Sequence, residues 1–257
     1  MTAIAQTARI SGRHIHAFAR QPWFVVMSVV QPAIWLLLFG ALFQNVTRIP
    51  GFAVASYVDY LVPGVVVMTA LFWCGWSGMS LIEDIDGAII DRLLTTPVHR
   101  SAIIGGLSVY QLVTLAVQIA IIAFFALLLG ARFEGGLAGF GALVACTLLL
   151  GAAVSSFSDA MALMLRQRES VIGINTMMTL PLTFLSAAFM PLSLAPDWIQ
   201  TVARFNPVNW AVEAGRVAMT AAPDWGFVAP RLLGLAVLAV LATAWATRTF
   251  RSYQQSI

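Results

Sequence analysis

The sequence predicts an all-α membrane protein. It has six transmembrane helices, an N-terminal amphipathic interfacial helix, a short amphipathic helix in a cytosolic loop, and short re-entrant helices on the outer side. Three observations predict this. Of 257 residues, 60% are hydrophobic and 10% charged, against about 25% charged in a typical soluble domain. Mean hydropathy is +0.88. Apolar stretches recur six times, near 24–43, 61–82, 101–129, 137–157, 171–192 and 229–247, and each approaches the roughly 20 residues that cross a hydrocarbon core about 30 Å thick. The composition excludes most soluble enzymes, disordered chains and nucleic-acid-binding modules. One transmembrane domain over 23–250 follows an interfacial helix over 1–22 and precedes a cytosolic tail over 251–257.

The N-terminal segment is amphipathic: Arg9, Arg13 and Arg20 fall within about 40° of one another on a helical wheel, opposite Ile4, Ala8, Ile15 and Phe18. Such a helix lies in the interface with its arginines toward anionic headgroups. His14 and His16 read as interfacial histidines, with an H-x-H metal pair as the alternative. Pro22 ends this helix. The apolar run that follows is longer than a signal-peptide core and lacks an A-x-A-like site, so it reads as a span. In that first span Ser28, Gln31 and Trp35 share a face, and Pro32 interrupts the helix.

The loop Glu83–Arg100 reads EDIDGAIIDRLLTTPVHR. Ile85, Ile89, Ile90, Leu93 and Leu94 make an apolar stripe at helical spacing, and Pro97 ends the helix. A protein partner suits the stripe better than lipid, because its acids disfavour an anionic leaflet; packing on its own bundle is the alternative. The third stretch is long enough to tilt or to extend beyond the lipid. Its Gln111, Thr114 and Gln118 share a face, as do Asn175, Thr179, Thr183 and Ser186 of the fifth, where Pro181 interrupts. These stripes are either a weakly polar path for an amphiphilic substrate or interhelical hydrogen bonding. The segment 193–228 holds two helix starts, at Pro196–Asp197 and Asn206–Pro207. Glu213 and Arg216 are spaced to pair on one helix face, and Trp198, Trp210 and Trp225 suit the membrane–water boundary. Orientation follows from arginine: Arg9, Arg13, Arg20, Arg92, Arg100, Arg166, Arg168, Arg248 and Arg251 fall on one side, and Arg48, Arg132, Arg204, Arg216 and Arg231 on the other. The richer side, with both termini, is cytosolic.

What is missing constrains function. All 14 cations are arginine, which removes any lysine nucleophile, Schiff base or phosphate-loop lysine. No G-x-x-x-x-G-K-[ST] exists, so energy for uphill transport must come from another polypeptide. The first five stretches carry no Asp, Glu, Arg or His, which argues against ion-coupled transport and intramembrane proteolysis. Asp159, Arg166, Arg168 and Glu169 read as a cluster at a cytosolic helix end, where charge is cheap. Cys74 and Cys146 read as small buried hydrophobes. Neither a catalytic set nor a metal set emerges.

Four stretches carry a resemblance: RQPWFVVMSVVQPAIWLLLFGALF (20–43), PGVVVMTALFWCGWSGMSLIED (63–84), DRLLTTPVHR (91–100) and LPLTFLSAAFMPLSLAPDWIQTVARFNPVNWAVEAGR (180–216). Together they resemble the permease subunit of type-2 ATP-binding-cassette (ABC) exporters, most closely the daunorubicin-resistance drug-exporter branch of bacteria, over roughly residues 15–250. The resemblance implies a multi-pass permease of the bacterial cytoplasmic membrane. It would be paired with a second copy or sibling and docked on a separate cytosolic ATPase subunit that holds ATP and magnesium, this chain binding no cofactor. It makes Glu83, Asp84, Gly87, Ile89, Asp91, Arg92, Leu93 and Pro97 coupling-helix positions contacting the ATPase. Pro191, Pro196, Trp198, Asn206, Pro207, Glu213 and Arg216 become outer-gate positions, and Gln31, Gln111, Thr114, Gln118, Asn175, Thr179 and Thr183 a candidate substrate path. The acidic start EDIDG departs from the family pattern. Membrane lipids are expected partners and nucleic acid is not. The alternatives are a polysaccharide or teichoic-acid exporter of the same superfamily, a membrane-embedded lipid-modifying enzyme, and a non-transporting scaffold.

Overall fold

The computed structural model describes residue 7, residues 11–16, residue 20, and residues 22–43, 56–87 and 100–255. Regular structure among them is helical. The helices are α1 (Pro22–Leu42), α2 (Tyr57–Gly75), α3 (Ser77–Asp86), α4 (Arg100–Leu128), α5 (Gly136–Leu165), α6 (Arg168–Phe184), α7 (Asp197–Ala203), α8 (Pro207–Ala218) and α9 (Trp225–Gln255), with a 3₁₀ turn at Leu192–Leu194. Four stretches are long and apolar enough to cross a bilayer: Tyr57–Asp86, Gly105–Leu128, Gly136–Leu165 and Trp225–Ser252.

The helix α5 is the hub and packs against α2, α3, α4, α6, α8 and α9. Small side chains allow this. The face it buries includes Gly139, Ala142, Gly151, Ala153, Ser155, Ser156 and Ala160, and small residues let backbones approach where lipid offers no hydrophobic drive between helices. The first membrane-length stretch, α2 with α3, is the centre of the bundle: 72% of its apolar part is buried inside the protein, against 17% for α9. A β-carbon on Gly64 of α2 would collide with the backbone of Ala188, so only glycine permits that approach. By contrast, α1 and α9 present large apolar side chains outward, among them Ile34, Leu37, Leu38, Leu233, Val240 and Leu241. Exposed apolar surface on this scale suits lipid rather than water.

Two differences from the sequence expectation have physical causes. The helix α6 stops at Phe184 rather than running to 192. Pro181 lies in its last turn, and residues 185–190 turn away so that their backbone meets polar side chains of α2 and α8. The second stretch is one path but two helices, broken at Trp76. At the N-terminus, residues 11–16 are helical and lie against the C-terminal end of α3; Arg9 is outside the described residues.

Candidate functional site

The end of the bundle that holds α8 is a polar knot tied by that helix. Asn206 caps α8, its side-chain oxygen accepting from the Val208 amide at 2.9 Å, with Pro207 in the first turn where no amide donor is missed. The same side chain donates to the Leu182 and Leu185 carbonyls at 2.7 and 2.8 Å. One asparagine thus opens α8 and closes α6, satisfying orphan groups at both termini. One turn on, Asn209 accepts from the Ala187 amide at 2.9 Å.

Arg216 completes the knot. Its guanidinium donates to the Ala187 carbonyl at 2.8 Å and the Tyr60 carbonyl at 3.2 Å, and lies 3.5 Å over the Tyr60 ring. Tyr60 donates its hydroxyl to the same Ala187 carbonyl at 3.1 Å, and Tyr57 donates to Phe189 O at 3.0 Å. Burial pulls Arg216 below the ordinary arginine value, while Tyr60 and Glu213 push it back up. The expected pairing of Glu213 with Arg216 on one helix face is not what forms. Glu213 instead pairs with Arg231 of α9 at 3.1 Å, and Arg231 also covers the Phe227 ring at 3.4 Å. The cause is geometric: Arg216 faces into the bundle toward two carbonyls, so Glu213 takes the cation that α9 brings alongside. Pro196 caps α7 and Pro191 precedes the 3₁₀ turn. Trp198 is exposed, while Trp210 donates to Arg204 O at 2.7 Å.

The other end of the bundle is organised around the break at Trp76. Ser158 of α5 staples it, donating to the Gly75 carbonyl at 2.6 Å and accepting from the Gly78 amide at 3.1 Å. Gly78 must be glycine there, because a β-carbon would strike Ser158. Below the break, α3 is tied by ion pairs to two other segments: Asp86 to Arg168 of α6 at 2.8 Å, and Asp84 to Arg13 at 3.2 Å. His14 stands 3.5 Å from the same Asp84 oxygen and 5.5 Å from the Tyr110 ring. Burial lowers the His14 pKa, Asp84 opposes the shift, and Arg13 adds to it. Of the coupling positions, Glu83 is exposed, Asp84 is engaged within the chain, and Gly87 closes α3 with its amide on Glu83 O at 2.9 Å. Ile89, Asp91, Arg92, Leu93 and Pro97 lie outside the described residues.

The cluster read around Asp159 does not exist as such. Arg168 is spent on Asp86, and Asp159 is fully buried on α5. Neither of its carboxylate oxygens makes a well-formed hydrogen bond, and the Ser77 hydroxyl beside it is only a weak polar contact. Its charge is therefore costly rather than cheap. The sequence carried one signal of this: Asp159 sits with Ser155, Ser156 and Ser158 inside an otherwise apolar helix rather than beyond its end.

The polar stripes fall in separate places. Gln111, Thr114 and Gln118 are buried on α4, Asn175, Thr179 and Thr183 are buried on α6, and Gln31 is exposed on α1. Thr114 accepts from the Trp73 indole at 2.9 Å and donates to Tyr110 O, while Gln118 has no partner for either amide atom. Asn175 packs on Gly75, beside the helix break. Both stripes flank α2.

Residues 5–220 match the family described as ABC-2 type transporter. The daunorubicin resistance ABC transporter permease protein DrrB1 of Streptomyces coeruleorubidus is 29% identical, over 98% of this chain and 87% of its own. The putative transport permease ycf38 of Cyanophora paradoxa is 30% identical over 76% and 67%, and the inner membrane transport permease YadH of Escherichia coli K12 is 26% identical over 92% and 90%. These relatives are named as transport permeases, and the long apolar helices agree with that role. The chain belongs to the ABC-2 type transporter family and is the membrane permease subunit of an ABC exporter, a multi-pass protein that works with an ABC ATPase.

Proposed function

We propose that this permease crosses the bacterial cytoplasmic membrane six times, through α1, α2 with α3, α4, α5, α6 and α9, with both termini in the cytosol. It acts in a dimer with a second copy or sibling, and moves an amphiphilic drug or lipid outward. The resistance names of DrrB1 and of the Mycobacterium tuberculosis relative DrrC, 24% identical over 83% of this chain, support that cargo class. ATP and magnesium bind the partner ATPase, and this chain supplies no cofactor site. The coupling element is the segment that follows α3 to Arg100.

The observation that carries the reading is the continuity of α2 and α3. The most buried helix of the bundle leads, through one stapled break, directly into the coupling segment. Ion pairs from Arg13 and Arg168 fix α3 to its neighbours, so a displacement delivered after Gly87 moves α2, and with it both polar stripes. Closure of the ATPase pair would rock the permeases and expose a groove first inward and then outward. Gln31, Gln111, Thr114, Gln118, Asn175, Thr179 and Thr183 remain the candidate path, and the knot around Asn206 and Arg216 is the outer gate.

The test is reconstitution with the ATPase in proteoliposomes. A variant carrying Ile89→Asp with Leu93→Asp is expected to insert normally, fail to retain the ATPase, and lose export. Retained ATPase and unchanged export would remove the coupling role from this segment.

A further inference from the structure

We infer that the groove between α5 and α9 is a binding site for one anionic phospholipid. Its headgroup is held by Arg248 and Arg251, and one acyl chain lies along α9. The groove encloses about 530 Å³ and is walled by Leu149 of α5 and, on α9, by Ala236, Ala239, Val240, Thr243, Ala244 and Thr247, ending at the two arginines. That volume is in the usual range for a small-molecule site.

Three features fix the occupant. First, the wall is apolar although it contains threonine. The Thr243 hydroxyl is engaged with Ser156 at 3.0 Å, and Thr247 donates to Thr243 O at 2.8 Å. No hydroxyl there is left seeking water, so hydrocarbon meets no unsatisfied group. Second, the depth is right. From Ala236 to Thr247 the helix rises about 16 Å, close to half of a hydrocarbon core about 30 Å thick, so the slot spans one leaflet and stops at the headgroup level. Third, the charge is uncompensated. Arg248 and Arg251 are exposed, three residues apart on one face, and make no ion pair or hydrogen bond with any described residue. No acidic residue follows Asp224 in the sequence. Guanidinium groups bind phosphate oxygens bidentately, and basic pockets between helices at a membrane surface suit anionic headgroups. The site requires that α9 cross the bilayer, but not a particular direction of crossing, a dimer, or any cargo.

The experiment compares lipid retention by the detergent-purified permease, read by native mass spectrometry. The probes are phosphatidylglycerol and phosphatidylcholine with identical acyl chains. The wild-type chain is expected to retain one phosphatidylglycerol in preference to phosphatidylcholine. Arg248→Gln with Arg251→Gln should weaken phosphatidylglycerol retention roughly thirty-fold, taking the usual contribution of two surface cations, and leave phosphatidylcholine unchanged. Ala244→Phe keeps both charges but fills the slot, and should also release the lipid. Arg204→Gln removes an exposed arginine at the other end of the bundle and should change nothing. Equal retention by the wild type and the double arginine variant would overturn the site. So would retention lost equally in Arg204→Gln, which would signal diffuse charge attraction, and full retention in Ala244→Phe, which would mean headgroup adsorption without the groove. A disulfide-linked homodimer from Val240→Cys in native membranes would assign the groove to a second copy instead. Tryptophan fluorescence and gel filtration of each variant separate loss of lipid from loss of fold.

Discussion

The two ends of this bundle solve the same problem in opposite ways. Each buries an ionisable side chain at a place where a helix is interrupted. At the end that holds α8, Arg216 is matched to two carbonyls and an aromatic face, and Asn206 and Asn209 serve the end of α6, the start of α8 and the Ala187 amide, although the Thr183 hydroxyl there has no partner. At the other end, Ser158 pins the break at Trp76, but the adjacent Asp159 has only a weak contact with the Ser77 hydroxyl and no well-formed hydrogen bond. Polar groups left incomplete are the ones whose surroundings can rearrange at little loss. The end that holds α8 is closely tied by side chains bonded to backbone, while the break at Trp76 keeps poorly matched polar capacity beside it.

That contrast can be broken by mutation, beginning with the largest effect. Arg216→Leu removes a charged donor set from the knot and should lower stability by about 2–4 kcal/mol, read as unfolding in detergent. Arg216→Lys should recover only part, because an ammonium cannot serve two carbonyls while stacking on Tyr60. Asn206→Ala should cost about 1–2 kcal/mol as a lost cap and free the end of α6, increasing protease access between 185 and 206. Asp159→Asn should behave oppositely: removal of a poorly compensated buried charge is expected to be neutral or to stabilise by about 1 kcal/mol at pH 8. If Asp159→Asn destabilised as severely as Arg216→Leu, the end at Trp76 would be no less determined than the end that holds α8.

The smallest effect concerns the N-terminal helical segment. Burial lowers the folded pKa of His14 below its ordinary 6.5. The released segment therefore binds the proton more readily than the docked one, and docking is weakened as pH falls through 6.5, not strengthened. Limited proteolysis around residues 13–20 should speed up between pH 7.5 and 5.5, and His14→Phe should abolish that dependence. No change with pH in the wild-type chain would show that Arg13 alone holds the segment.

The long apolar elements were legible because hydrophobicity is additive along a chain: the boundaries of α4 could be read from runs of Leu, Ile, Val and Ala without knowing any neighbour, whereas α9 extends past its apolar run 229–247 at both ends, to Trp225 and Gln255. The caps were legible for the same local reason, Asn206–Pro207 above all. What sequence could not supply was the choice of partner. Glu213 had an arginine three residues away and took another eighteen residues on, because the bundle turned Arg216 inward. Asp159 looked like one member of a charged group, yet depth in the bundle, which no local pattern encodes, separated it from Arg168. Tyr57 and Tyr60 carried no sequence signal at all; their role comes from Ala187 and Phe189, more than a hundred residues away.

The break at Trp76 is held by a hydroxyl that belongs to a different helix. A lever whose joint is clamped from outside can be regeared without altering either arm. Under the proposed coupling, substitutions at Ser158, or at residues that shift α5 by a fraction of an ångström, would change how far the centre of the bundle travels for a given push without touching the segment that follows α3. Within one family, that offers a route to permeases that share an engine and differ in stroke.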